Sequence, residues 1–130
     1  MNQPLKVVFL DSVHPVLVER LTEIGFLCLD YSKEPKEQAL ASLKDAFGIV
    51  IRSRFTLDKG LLSPLKNLKF IARSGSGLEN IDTAYCAENG IELFNSPEGN
   101  RNAVAEHALG MLLSLMNKLN KADKEVKNGL

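Results

Sequence analysis

The sequence predicts an α/β fold: a doubly wound sheet of five parallel strands, followed by a long C-terminal helix. Three observations carry this. Short, β-rich apolar runs recur along the chain, VVFL and FGIVI being the clearest. Helix-forming stretches separate them. Turn residues punctuate the boundaries, as in Ile24-Gly25, Ser63-Pro64 and Asn89-Gly90. Continuous apolar strands alternating with helices belong to a parallel sheet covered on both faces, and right-handed crossovers wind such a sheet in two directions.

Taken in order, Leu5 to Leu10 reads as the first strand. His14 to Ile24 reads as a helix, with Ser12 suited to cap its start and Gly25 its end. Gly25 to Leu29 supplies a second strand, and Pro35 to Ala46 a second helix with proline in its first turn. Phe47 to Ile51 is the third strand, Asp58 to Leu62 a short helix, and Leu68 to Ala72 the fourth strand. Asn80 to Glu88 is a helix, Ile91 to Phe94 the fifth strand, and Asn102 to about Val126 one long helix. Five strands in one such unit suggest a flavodoxin-like order.

Composition narrows the function classes. Of 130 residues, 45% are hydrophobic and 25% charged, and Lys+Arg and Asp+Glu balance at 16 each. A neutral chain has no broad electrostatic reason to bind nucleic acid or an anionic membrane, so neither is an expected partner. Cys28 and Cys86 are the two cysteines, and they read as reduced thiols rather than a disulfide framework or a metal site. The N-terminal apolar stretch is broken by Asp11 and does not have the form of a secretory signal, which gives a cytoplasmic expectation.

The last helix is unusual. From Ala103 to Met116 it is apolar almost all round: Val104, Leu109, Met111, Leu112, Leu113, Leu115 and Met116 do not share one stripe. A surface helix buries one stripe, so this one is expected to need cover on a second side, from a further domain beyond Leu130 or from another chain.

Ligands of doubly wound sheets bind beyond the carboxyl ends of the strands. Four segments follow those ends: Asp11-Ser12, Arg52-Ser53-Arg54, Arg73 to Asn80, and Asn95 to Asn100. The loop RSGSGLENID carries Gly75-x-Gly77-x-x-Asn80 between a strand and a helix. It falls one glycine short of the dinucleotide fingerprint, and it follows the fourth strand rather than the first. It suits a small carboxylate held by the backbone of Ser76 and Gly77 better than a nucleotide; a plain glycine turn is the alternative. Arg52 and Arg54 suit a carboxylate or phosphate, or are simply surface arginines. Asn100 offers a donor and an acceptor to a substrate at a hinge, or caps the long helix. His107, on an apolar helix, reads as a packing residue. Asp11 invites comparison with a phospho-acceptor, but Arg52 and Asn95 stand where that chemistry needs an acid and a lysine.

Three pieces together, GIVIRSRFTLDKGLL, LKFIARSGSGLENIDTAYCAENGIELFNSPEGN and AVAEHALGMLLSL, resemble the N-terminal part of the D-isomer-specific 2-hydroxyacid dehydrogenases. The resemblance implies a substrate-binding domain over residues 1–101. It also implies an interdomain helix over 102–130 that leads towards an NAD-binding Rossmann domain outside this chain. It implies that Ser76 and Gly77 hold the substrate carboxylate, that Arg52, Ser53 and Arg54 line the substrate side, and that Asn100 faces the site at the hinge. The implied substrate is a small anionic 2-hydroxy acid, with 3-phosphoglycerate of serine synthesis expected. NAD is the implied cofactor, and the full-length parent is expected to be a homodimer. The family's catalytic Arg, Glu and His are expected beyond Leu130, as is the NAD fingerprint, so the 130-residue chain is expected to be inactive alone. No metal site is expected. The alternative is a complete, non-catalytic module that binds a small anion and oligomerises through its long helix.

Overall fold

A computed structural model describes residues 3–130; Met1 and Asn2, which open the expected first domain, lie outside the described residues. The chain forms two compact units, one ending at Ser96 and the other running Pro97–Leu130.

The first unit is built on five strands: β1 (Lys6–Phe9), β2 (Leu27–Asp30), β3 (Gly48–Ile51), β4 (Phe70–Arg73) and β5 (Glu92–Phe94). All pairings are parallel, and the order is β2-β1-β3-β4-β5, the flavodoxin-like arrangement the sequence predicts. Burial follows this order. Central β3 is buried throughout, whereas β2 and β5 at the edges bury no residue fully. Successive side chains alternate between the faces. Val8, Leu10, Ile49, Ile51 and Ile71 enter one core cluster, while Val7, Phe9 and Val50 enter the other. Burying each such side chain contributes roughly 1.5–3 kcal/mol.

Helices α1 (Pro15–Glu23), α2 (Lys36–Ala41), α3 (Lys59–Leu62) and α4 (Thr83–Glu88) connect the strands. Three of them start on side-chain caps. Asp58 Oδ1 accepts the Leu61 N–H and Asp82 Oδ1 the Tyr85 N–H, each at 2.9 Å. At α1 the cap is His14, not Ser12: its Nδ1 accepts the Val16 N–H at 3.3 Å, and Pro15 occupies the first helical position. The second helix is shorter than its sequence pattern, passing into a 3-10 turn at Ser42–Asp45. There the Ser42 hydroxyl bonds back to the Ala39 carbonyl at 2.7 Å.

Gly48 and Phe70 are register partners on β3 and β4. The Phe70 ring lies over the Gly48 backbone, in space any Cβ would take. From that seat it meets Phe47 and Phe94 edge-on at 6.1 Å each, and Phe26 at 6.5 Å.

The second unit corrects one expectation. The long helix is two helices: α5 (Glu98–Met116) and α6 (Leu119–Lys127). The break falls at Asn117-Lys118. Asn117 Nδ2 donates to the Leu113 carbonyl at 3.0 Å, and Lys118 takes a left-handed backbone with φ 54°. A side-chain amide that satisfies the last carbonyls ends a helix from within. No side chain of α5 is buried, and Leu115 and Met116 are 77% and 70% exposed. Among the described residues, no helix is long and apolar enough to cross a membrane.

Candidate functional site

The loops at the carboxyl ends of β1, β3, β4 and β5 are joined to one another by a set of hydrogen bonds. Asp11, after β1, turns its carboxylate onto the start of the loop after β3. Its Oδ2 accepts the backbone N–H groups of Arg52 (2.7 Å), Ser53 (3.1 Å) and Arg54 (3.2 Å). One acid thus fixes the whole Arg52–Arg54 triplet, a charge-assisted arrangement stronger than neutral bonds.

The two arginines of that triplet have different surroundings. Arg54 is half-buried, and its guanidinium turns inward. Nη1 donates to the carbonyls of Leu10 (3.2 Å), Tyr31 (2.9 Å) and Ser32 (3.0 Å), and Nη2 to the carbonyl of Glu34. The group also lies 4.7 Å from the Phe55 ring centroid. Arg54 therefore ties the end of β1 and the loop after β2 to the loop after β3. Arg52 is exposed, and among the described residues no acid pairs with its guanidinium. Ser53 is exposed at the tip between them.

The glycine loop lies next to this triplet. Ser74 N–H donates to the Ile51 carbonyl at 2.8 Å, continuing the sheet by one bond beyond β4. Arg73 Nε donates to the Arg52 carbonyl at 3.0 Å. Asn80 Nδ2 donates to the carbonyls of Arg52 (3.3 Å) and Phe55 (3.0 Å). From the other side, Asn95 Nδ2 donates to the Ser76 carbonyl at 2.6 Å and Ser96 N–H to the Gly75 carbonyl at 2.8 Å. The carbonyls of the loop are thus held from behind. The N–H groups of Ser76 and Gly77, on a half-buried stretch, have no acceptor among the described residues. The Glu79 carboxylate lies against Gly77, in the space a Cβ would fill, and is 3.7 Å from Arg73 Nη2.

Two successive backbone N–H groups without an acceptor are the kind of feature that can take an anion. The same loop does not suit a dinucleotide. Asn80 stands where the fingerprint has its third glycine, and its amide is committed to two carbonyls. The helix that follows begins only at Thr83 and is six residues long, so no extended helix N-terminus points at a pyrophosphate. Among the described residues, no group of His, Cys, Asp or Glu is placed to hold a metal.

Asn100 belongs to the second unit. It lies in the first turn of α5 rather than in the preceding loop, and the helix has no side-chain cap. With Ala103, Val104, His107 and Met111 it lines one face of that helix.

Sequence reasoning brought Arg52, Ser53, Arg54, Ser76 and Gly77 to one end of the sheet, and the structure has them there. It did not anticipate Asp11, Asn80 and Asn95 as the residues that hold the loops. Their positions just past strands β1 and β5 and shortly before α4 are the available signal.

Residues 7–126 match the family model described as D-isomer specific 2-hydroxyacid dehydrogenase, catalytic domain. D-3-phosphoglycerate dehydrogenase of Sus scrofa is 31% identical over 124 residues, which are 95% of this chain and 23% of that protein. The chain thus spans about a quarter of the length of the curated relatives it matches. Among solved structures, a protein of Pyrococcus horikoshii superposes with a TM-score of 0.82 at 25% identity, over 98% of this chain and 38% of that one. The NAD-bound 3-phosphoglycerate dehydrogenase of Entamoeba histolytica gives a TM-score of 0.62 at 28% identity, over 86% and 39%.

Proposed function

The chain belongs to the D-isomer-specific 2-hydroxyacid dehydrogenase family, and on that premise we propose that it is the substrate-binding part of an NAD-dependent enzyme oxidising 3-phosphoglycerate in serine biosynthesis. The observation that carries this reading is the pair of unpartnered amides at Ser76 and Gly77, on a loop bonded to the backbone of Arg52. The amides take the substrate carboxylate, and the exposed Arg52 guanidinium takes the phosphate. Ser53 lines the same side, and Arg54 acts from behind, holding the loop that carries Arg52.

The curated relatives that the chain matches are about four times its length, which supports a larger whole protein. In this reading residues 1–101 form the substrate domain, and residues 102–130 lead towards an NAD-binding domain. That domain supplies the catalytic Arg, Glu and His, and His107 is not one of them. NAD supplies the hydride acceptor, while the residues of this chain bind and orient the acid. The whole enzyme is a cytoplasmic homodimer, and the 130-residue chain is inactive by itself.

The test is the mass of the native gene product, followed by an assay with NAD and 3-phosphoglycerate. The proposal predicts a product much heavier than 14.3 kDa that reduces NAD, and no turnover by residues 1–130 alone. A native product of about 14.3 kDa that binds a carboxylate without turnover would overturn it in favour of a non-catalytic anion-binding module.

A further inference from the structure

Asn80 has a placement that carboxylate binding by the loop does not by itself require. It lies three residues past Gly77 on the same loop. Its Nδ2 reaches across to the carbonyls of Arg52 and Phe55, and its own carbonyl accepts the Leu57 N–H at 2.8 Å. One residue therefore bonds to the beginning, the middle and the end of the loop after β3. Its Oδ1, by contrast, is buried without a partner. A buried orphan carbonyl is a cost that a space-filling residue would avoid. The amide is there for its donors.

We infer that Asn80 is a positioning residue that couples the two parts of the anion site, the Ser76–Gly77 amides and the Arg52 guanidinium. This rests on the reading of that site as a cradle for a phosphorylated 2-hydroxy acid. The Arg52 side chain is long and exposed, so its reach depends on where its backbone is held. Asp11 fixes the Arg52 N–H, and Asn80 together with Arg73 Nε fixes its carbonyl. Only Asn80 does so from within the carboxylate loop beyond Gly77. A ligand with a carboxylate alone uses the amides; a ligand with a phosphate as well needs the amides and Arg52 at a set separation. Small misplacements at such a two-point site are costly.

The experiment is titration of the 130-residue chain with 3-phosphoglycerate and, separately, with D-lactate, for wild type, Asn80→Ala, Arg52→Ala and the double variant. Binding is read by amide chemical shifts. The expected result for Asn80→Ala is a loss of roughly tenfold for 3-phosphoglycerate and less than about twofold for D-lactate. Arg52→Ala should also cost less in the Asn80→Ala background than in wild type. Equal losses for both ligands would make Asn80 a structural residue only and overturn the inference, leaving the proposed function standing. Failure of the wild-type chain to bind either acid would overturn both. Should Asn80→Ala not fold, Asn80→Ser is titrated in its place, and the same ligand-selective loss is expected.

Discussion

Asp11 Oδ2 accepts the backbone N–H of Arg52 at 2.7 Å, linking the second residue past β1 to the first residue past β3. The strands are neighbours in the sheet, so the bond extends their pairing into the loops with a charged acceptor in place of a carbonyl. Ser53 and Arg54 share the same oxygen. Asp11→Ala removes the acceptor from all three. We expect a loss of about 1–3 kcal/mol in folding stability by urea denaturation, accompanied by weaker binding of small carboxylates. Unchanged stability would mean that the loop holds its shape without Asp11.

Arg52 and Arg54 are expected to separate cleanly. Arg52→Ala touches no hydrogen bond made by its side chain and should leave stability within about 0.5 kcal/mol, as for ordinary surface positions, while weakening the binding of phosphorylated acids. Arg54→Ala takes the donor away from the carbonyls of Leu10, Tyr31, Ser32 and Glu34 and should cost about 1–3 kcal/mol. Paired denaturation and ligand titrations check both, and the reverse pattern would exchange the roles assigned to the two arginines.

This pair shows where the sequence stops being legible. The triplet Arg52-Ser53-Arg54 is visible as a strand end, and both arginines look alike there. Their difference arises only when the end of β1 and the loop after β2 bring several carbonyls together around one of them. The strands were legible because Val7 to Phe9 and Gly48 to Ile51 are buried on both faces, which demands unbroken apolar runs. The break between α5 and α6 was hidden because apolar residues continue up to Met116 and helix formers follow. The bonding of Asn117 to the Leu113 carbonyl and the left-handed backbone of Lys118 mark the end. In the sequence Asp11 invites comparison with a reactive carboxylate, whereas in the fold its Oδ2 is spent on backbone N–H groups.

Cys86 gives a pH dependence. It is fully buried on α4, and burial pushes its thiol up, with the Asp82 carboxylate adding to the effect. Above the ordinary thiol range the unfolded chain loses this proton while the folded chain keeps it. Its contribution to stability is therefore fully present below pH ~8.5 and falls as the pH rises through the raised folded value. Denaturation midpoints measured from pH 7 to 10 should fall more steeply for wild type than for Cys86→Ala. In the native state half-buried Cys28 should react with a thiol reagent before Cys86 does. Equal slopes in the two proteins would remove the thiol from the account.

The central claim is that the amides of Ser76 and Gly77 take the carboxylate of a 2-hydroxy acid. The most direct measurement is an amide nitrogen–proton correlation spectrum of the 130-residue chain titrated with 3-phosphoglycerate. The account predicts saturable downfield shifts at Ser76 and Gly77, with smaller shifts at Arg52 and Ser53 and none on the opposite, amino-terminal edge of the sheet. Saturable shifts elsewhere with Ser76 and Gly77 unmoved would contradict it.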